Sequence, residues 1–341
     1  MQIKSAQELQ ELATAIFKAA GATAENAEGV VSSLISANLA GHDSHGVMRI
    51  PSYVEDIHNG RIRPAAAPFV TRERPAAAII DCAATFGQLG ARLTAETAVR
   101  KTREAGMGGA ALFRANHTGR IGEWAELGAS QGMITLVTAS GPFVRLVAPF
   151  GGRDRSLGTN PIAWAVPRPG GRPPILLDFA TSAAAQGKLM VARAKHETVP
   201  PGWILDAEGR STTDVEDYFG GGVLLPFAGH KGYALSVIVE LMAVGLSGGD
   251  AVPKTERGSC LFVACFDPGA FRPEELFGES VERVAGRLKA VKPAAGFDEV
   301  LLPGEPEARA REERLRQGIP LPDDTWKAIC RVANDLAIAA G

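Results

Sequence analysis

Ser44, His45, Arg49 and Tyr53 fall within the stretch Gly41-His-Asp-Ser-His-Gly-Val-Met-Arg-Ile-Pro-Ser-Tyr53, the densest run of reactive side chains in the sequence. A serine hydroxyl can hold one nitrogen of a neighbouring imidazole, and the histidine can exchange a proton near neutral pH. Arginine grips a carboxylate with its planar fork. That is equipment for an acid–base step on a small organic acid. His42 and His45 also read as H-x-x-H, the spacing a metal-dependent hydrolase would use, but no Glu-rich or Cys-rich partner set accompanies them.

Further polar groups recur on loops. His117 lies in Asn116-His-Thr-Gly-Arg-Ile121, Thr159 in Gly158-Thr-Asn-Pro161, and Asp178 in Leu177-Asp-Phe-Ala-Thr-Ser182. Each has a plainer reading as a solvated turn, an Asx turn or a helix cap. Together they supply amide, hydroxyl and carboxylate groups at strand ends, where an α/β enzyme assembles its pocket. The glycine-rich run from Gly220 to Gly232, ending in His230-Lys231-Gly232, feeds an apolar helix and carries an anion-site signal: glycines admit a phosphate, and helix-start N–H groups face it.

The elements that must position these groups follow from capping and periodicity. Ser5 and Glu8 form a capping box ahead of a helix over residues 6–20, closed by Gly21; a second helix over 24–40 closes at Gly41. The reactive stretch therefore starts at a helix C-terminus. Pro51 suits the first turn of the next helix, which carries Tyr53, Val54 and Ile57 and ends at Asn59-Gly60. Residues 61–74 read as an extended crossing segment, with a domain boundary near 75. Beyond it, strands are expected over 76–82, 110–113, 133–139, 162–166, 175–179 and 260–266, and helices over 85–105, 124–130, 183–194 and 273–290. The charged run 305–316 and a last helix follow. The apolar run 233–246 carries Glu240, is too short for a membrane span, and reads as a buried helix. Residues 106–111 match G-x-G-x-x-A, yet they follow a helix and enter a strand, the reverse of a dinucleotide fingerprint.

Bulk properties bound the function. At 341 residues, 45% hydrophobic and 22% charged, the composition is that of a globular chain with a sizeable core. A formal net charge of −2 with no basic run argues against nucleic-acid binding. Cys82, Cys260, Cys265 and Cys330 lack zinc spacing, and so long a chain needs no disulfide staples, so a reducing cytoplasm is expected.

The runs Ser44-His-Gly46 with Arg49 and Tyr53, Asn116-His-Thr-Gly119, Gly158-Thr-Asn-Pro161, Leu177-Asp-Phe-Ala-Thr-Ser182, Leu225-Pro-Phe-Ala-Gly-His-Lys-Gly232 and Leu302-Pro-Gly-Glu305 together resemble the malate/L-lactate dehydrogenase family of non-Rossmann NAD(P)-dependent oxidoreductases. The resemblance runs in the same order over nearly the whole chain. It implies an α/β (α+β) fold: a nicotinamide-binding domain with a largely antiparallel sheet, residues 76–289, and a helical substrate and dimer domain from both chain ends, residues 1–75 and 290–341. A homodimer and a small carboxylate substrate follow from the same likeness. By similarity, His45 is the proton donor in reduction and Ser44 its orienting partner, with Arg49, Tyr53, His117 and Thr159 around the substrate. NAD or NADP would be held by His117, Thr118, Gly119, Arg120 and Ile121, by Asp178, Phe179 and Ala180, by His230 and Lys231, and by Pro303, Gly304 and Glu305. Arg120, Arg153 and Arg155 are candidate partners for a 2′-phosphate. Relatives that reduce cyclic 2-imino acids carry an aspartate, completing a Ser-Asp-His relay, at the position aligned with Lys188. Gln186-Gly-Lys188 resembles the hydroxy-acid branch instead. A 2-hydroxy acid is the expected substrate, with a cyclic 2-imino acid as the alternative.

Overall fold

The computed structural model describes residues 1–256 and 258–339. Helix α1 (Ala6–Ala19) opens on the expected capping box: the Glu8 N–H donates to Ser5 Oγ at 3.1 Å and the Ser5 N–H to Glu8 Oε2 at 2.7 Å. Thr23 caps α2 (Ala24–Leu39), and Pro51 sits in the first turn of α3 (Ile50–His58). Leu9, Ile16 and Phe17 of α1, Val30 and Leu34 of α2, and Ile50 and Tyr53 of α3 share one core with Ile319, Leu321 and Ile329 from the far end of the chain. Strand Gln2–Lys4 pairs antiparallel with Ile319–Leu321, tying the two ends together.

The main sheet has seven strands, in the spatial order Phe69–Arg74, Ala77–Asp81, Met107–Ala115, Ser259–Phe266, Ile134–Ser140, Ile162–Val166 and Ile175–Phe179. Neighbours are antiparallel except Ala77–Asp81 with Met107–Ala115, which run parallel because α4 (Gly87–Ala105) makes the crossover between them. Small residues let α4 and α5 (Ile121–Ser130) lie close to the sheet: Ala91, Ala95, Ala98, Ala125 and Ala129 meet Ile80, Leu112, Val137 and Val263. Leu136, on the opposite face by strand alternation, packs with Ile162 and Val239.

Several expectations are corrected. The segment 61–74 ends in the edge strand Phe69–Arg74, whose six residues are all exposed, so burial left no alternation to read. The strand expected at 110–113 begins at Met107. It takes in Gly108 and Gly109, where a Cβ would come within 2.7 Å of Lys101 Cβ and 2.9 Å of the Val263 carbonyl. The glycines of the fingerprint-like run therefore seat α4 and a neighbouring strand, and Gly106 closes α4 at φ 77°. The helix expected over 183–194 is α6 (Gln186–Lys195). It joins α7 (Val215–Phe219) and a ribbon of two-residue strands, Ile204–Leu205, Ser211–Thr212 and Val223–Leu224, too short to show a period. Val147, Leu189, Ile204, Tyr218 and Leu224 form the separate core there.

The expected buried helix is α8 (His230–Glu240), continued by a π-helical turn at Leu241–Gly245. It is buried on one side only. Val239 meets the sheet, whereas Ile238, Leu241 and Leu246 are 52%, 59% and 54% exposed. The helices close with α9 (Glu274–Lys289), α10 (Glu305–Gln317) and α11 (Asp323–Asp335). None among the described residues is long and apolar enough to cross a membrane.

Candidate active site

The reactive stretch is held from beneath by Asn38, buried at the end of α2. Its side chain donates to Asp43 Oδ1 at 2.6 Å and accepts the Val47 N–H at 2.8 Å, folding residues 43–49 into two tight 3-10 turns. Arg314 of α10 adds a 2.6 Å hydrogen bond to the Asp43 carboxylate. Gly46 crosses directly over Asn38; a Cβ there would stand 2.1 Å from Asn38 Oδ1.

On this base Ser44 Oγ lies 2.9 Å from His45 Nδ1, leaving Nε2 as the ring nitrogen not engaged by Ser44. Arg49 Nε donates to the Ser44 carbonyl at 2.7 Å; its terminal nitrogens make no hydrogen bond to the protein among the described residues, so a carboxylate can take them. Tyr53, one turn into α3, places its hydroxyl 2.6 Å from His117 Nδ1, and the two imidazoles of His45 and His117 stack with centroids 5.2 Å apart. The loop after strand Met107–Ala115 thus meets the helical layer through one hydrogen bond and one ring contact.

Burial sets the protonation here. It lowers the His45 pKa from 6.5 to about 4, helped by the positive charges of Arg49, His42 and Arg120. Burial likewise holds His117 well below the usual histidine range, with Arg49 and His45 adding to it, and raises the Tyr53 hydroxyl. His45 is therefore neutral at neutral pH, an acceptor rather than the half-titrated group the sequence suggests.

A second cluster lies at the start of α5. Arg120, 1% exposed, pairs with Glu126, and its Nη1 stands 3.9 Å from Asp178 Oδ2. Asp178 Oδ2 also accepts the Gly122 N–H at 2.9 Å, joining the strand end at 178 to the helix start at 121. Burial pushes the Asp178 carboxyl up despite Arg120, and does the same to Glu123, which accepts Ser33 Oγ at 2.7 Å. The return loop joins them: the Leu176 N–H donates to the Pro303 carbonyl, and Gly304, at φ 93°, comes so close that a Cβ would lie 2.9 Å from Leu176 Cβ. His42 reaches Glu307 at 3.4 Å across the same seam.

These contacts draw together segments 117–122, 178–180 and 303–305. Thr159 is tied in through its carbonyl, which accepts the Thr181 N–H, while Phe227 N–H donates to the Thr181 carbonyl and carries the approach to α8 alongside. His230 and Lys231 occupy the exposed first turn of α8, which no side chain caps. Within the set, Thr118 and Ile121 are buried, Ile121 in the sheet core, and the Glu305 carboxylate is taken by the Leu302 N–H and Lys289. Phe179 stands 37% exposed against Phe227, Ala180 follows it in the chain, and Gly119 packs against Ser33 and Gln88.

Of the three arginines, Arg155 is spent on the Gly222 and Tyr218 carbonyls and Arg153 lies beside Gly209; Arg120 alone belongs to the converging segments. His42 and His45 turn to different partners, Glu307 and Ser44, and no group of three His, Cys, Asp or Glu side chains among the described residues is placed to hold a metal ion. Sequence reasoning missed Asn38 and Gln88. Neither carries a local signal, because each matters through a partner distant in the chain or through the turn it stacks on.

A helical layer bearing a serine-held histidine, closed over a largely antiparallel sheet with glycine-rich loops, defines a dehydrogenase of non-Rossmann architecture. A malate/L-lactate dehydrogenase family model matches residues 4–330. Hydroxycarboxylate dehydrogenase B of Escherichia coli K12 is 38% identical over 342 aligned residues, covering 98% of this chain and 94% of that protein. The malate dehydrogenase structure of Pyrococcus horikoshii superposes with a TM-score of 0.89 at 31% identity, covering 100% and 97% of the two chains. A Δ1-piperideine-2-carboxylate reductase structure from Pseudomonas syringae pv. tomato gives 0.83 at 30%, covering 98% and 100%. The chain belongs to the malate/L-lactate dehydrogenase family and is an oxidoreductase of the hydroxy-acid dehydrogenase type.

Proposed function

We propose that the protein interconverts a small 2-hydroxy acid and its 2-oxo acid, with His45 as the acid–base group. The observation that carries this is the Ser44 Oγ–His45 Nδ1 contact of 2.9 Å beside an arginine whose terminal nitrogens stand open. With its Nδ1 proton donated to Ser44, neutral His45 takes the substrate hydroxyl proton at Nε2 in oxidation and returns it in reduction, a role worth about 10²–10⁴-fold in rate. Arg49 pairs with the substrate carboxylate, and Thr159 and His117 would take the remaining side, with Tyr53 behind His117. That grip fixes which face of the carbon reacts.

The site residues fit a nicotinamide cofactor, NAD or NADP. Buried Arg120 has Nε and Nη1 without a hydrogen-bond partner among the described residues, and the start of α8 lacks a side-chain cap, so its N–H groups suit a pyrophosphate. His117 to Ile121, Asp178 to Ala180, His230-Lys231 and Pro303 to Glu305 would hold it, Ile121 and Glu305 through backbone. When bound, the nicotinamide supplies or accepts the hydride.

Lys188, over the Trp203 ring at 5.9 Å, is no relay acid, which favours the hydroxy acid over a cyclic imino acid. The test follows loss of NADH or NADPH absorbance with pyruvate, oxaloacetate, other 2-oxo acids and cyclic imino acids. Turnover of a 2-oxo acid is expected; turnover of imines alone would overturn the reading.

We assign the helical unit to residues 1–75 and 290–341 and the sheet unit to 76–289, with the strand Phe69–Arg74 of the first crossing to the edge of the sheet. The exposed Ile238, Leu241 and Leu246 support a homodimer, which sedimentation equilibrium measures. Free Cys82, Cys260 and Cys265, all buried, support a reducing, cytoplasmic setting.

A further inference from the structure

Gln88 is the inner end of a hydrogen-bond chain that runs into the cleft. It lies in the first turn of α4 and is 1% exposed. Its Nε2 donates to Tyr53 Oη at 2.8 Å, and Tyr53 Oη is 2.6 Å from His117 Nδ1. Oε1 is buried with no partner among the described residues.

Counting donors fixes the direction of the chain. If the amide were turned over, its NH₂ group would stand where the unpartnered oxygen now does, burying unpaired N–H groups, which are rarer and less tolerated than an under-satisfied carbonyl. With Gln88 donating to it, Tyr53 has one O–H left to give, and His117 Nδ1 is the acceptor within reach. Burial raises the Tyr53 hydroxyl, so it keeps that proton. A neutral imidazole that accepts at Nδ1 carries its proton on Nε2. Gly119, whose Cα abuts Gln88 so that a Cβ would lie 3.2 Å from Gln88 Cγ, presses the amide in place.

We propose that Gln88 is a positioning residue: through Tyr53 it locks His117 as the Nε2–H tautomer, so that an N–H donor stacked beside His45 is offered to the substrate oxygen. Such a donor stabilises the charge that develops there without reorganising during the reaction. The role at the substrate rests on the proposed hydroxy-acid reading, whereas the tautomer is a property of the protein alone and is read without turnover.

The experiment is a long-range ¹H–¹⁵N correlation spectrum of histidine-labelled full-length protein, with His117 assigned by its loss in His117→Asn. In the wild type Nδ1 is expected to resonate as unprotonated and Nε2 as protonated at neutral pH. Gln88→Met keeps the side-chain length and removes the donor; a second tautomer is expected, and kcat for the 2-oxo acid should fall about 10²-fold, the size of losing one preorganised donor, with KM for the cofactor little changed. An Nδ1–H tautomer in the wild type overturns the proposal whether or not the variant folds. So does a Gln88→Met enzyme with wild-type tautomer and kcat. If no 2-oxo acid is turned over yet the tautomer shifts as described, the hydroxy-acid reading fails and the lock on His117 stands.

Discussion

The two sides of the cleft use burial in opposite chemical directions. On the helical side, Ser44, His45, Tyr53 and His117 are joined by neutral hydrogen bonds around one cation, Arg49, and burial strips protons from the imidazoles. On the sheet side, Arg120, Glu126 and Asp178 are charged groups at a helix start, and burial pushes the Asp178 carboxyl pKa up. Desolvation always disfavours the charged form, so the same force lowers the pKa of a histidine and raises that of an aspartate. The difference fits the proposed division of labour, in which one side would handle the substrate's proton and the other would hold the cofactor's phosphates against fixed charge and backbone N–H groups.

Removing the acceptor breaks that division most sharply. His45→Ala should lose about 10²–10⁴-fold in kcat while still quenching tryptophan fluorescence on cofactor titration, since it leaves the sheet side intact. Unchanged turnover would mean that the proton moves elsewhere. Arg49→Ala should act next, raising KM for a carboxylate substrate by about 10- to 100-fold, the worth of a charge-assisted hydrogen bond; steady-state kinetics with an unaltered KM would remove Arg49 from the substrate.

A stability difference should follow from the same histidine. Its folded pKa of about 4 lies below the unfolded 6.5, so between those values the unfolded chain binds the extra proton. The contribution of neutral His45 is fully present above pH 6.5 and is lost as the pH falls toward 4. Urea melts should therefore show less acid destabilisation in His45→Asn than in the wild type, by up to about 1.4 kcal/mol per pH unit across that window. Parallel curves would contradict the shift. The smallest effect expected is on packing. Gly46→Ala forces a methyl onto Asn38 and should cost about 1–3 kcal/mol, read as a lower Tm; a wild-type Tm would show that the turn can shift.

How much of this was legible depended on distance along the chain. The Ser44 to Tyr53 group was readable because its members follow one another, and the Ser5–Glu8 cap because it is local by construction. The convergence of Asp178 with Gly122 and of Pro303 with Leu176 is made by strand order, and only likeness to a family brought those residues together in advance. Gln88 and Asn38 gave no sign, since an amide beside a helix end looks like any other until its partner arrives. The outward face of α8 was misread because an apolar run says how much can be buried, not what will cover it.

The most direct test of the account is the pH dependence of kcat/KM for oxidation of the preferred 2-hydroxy acid at saturating oxidised cofactor. Oxidation needs His45 unprotonated, so its acid limb should fall nearer pH 4 than 6.5, and the limb should vanish with the residual activity of His45→Ala. An acid limb at pH 6.5, or one that persists unchanged without His45, would show that a solvent-like histidine or another group accepts the proton.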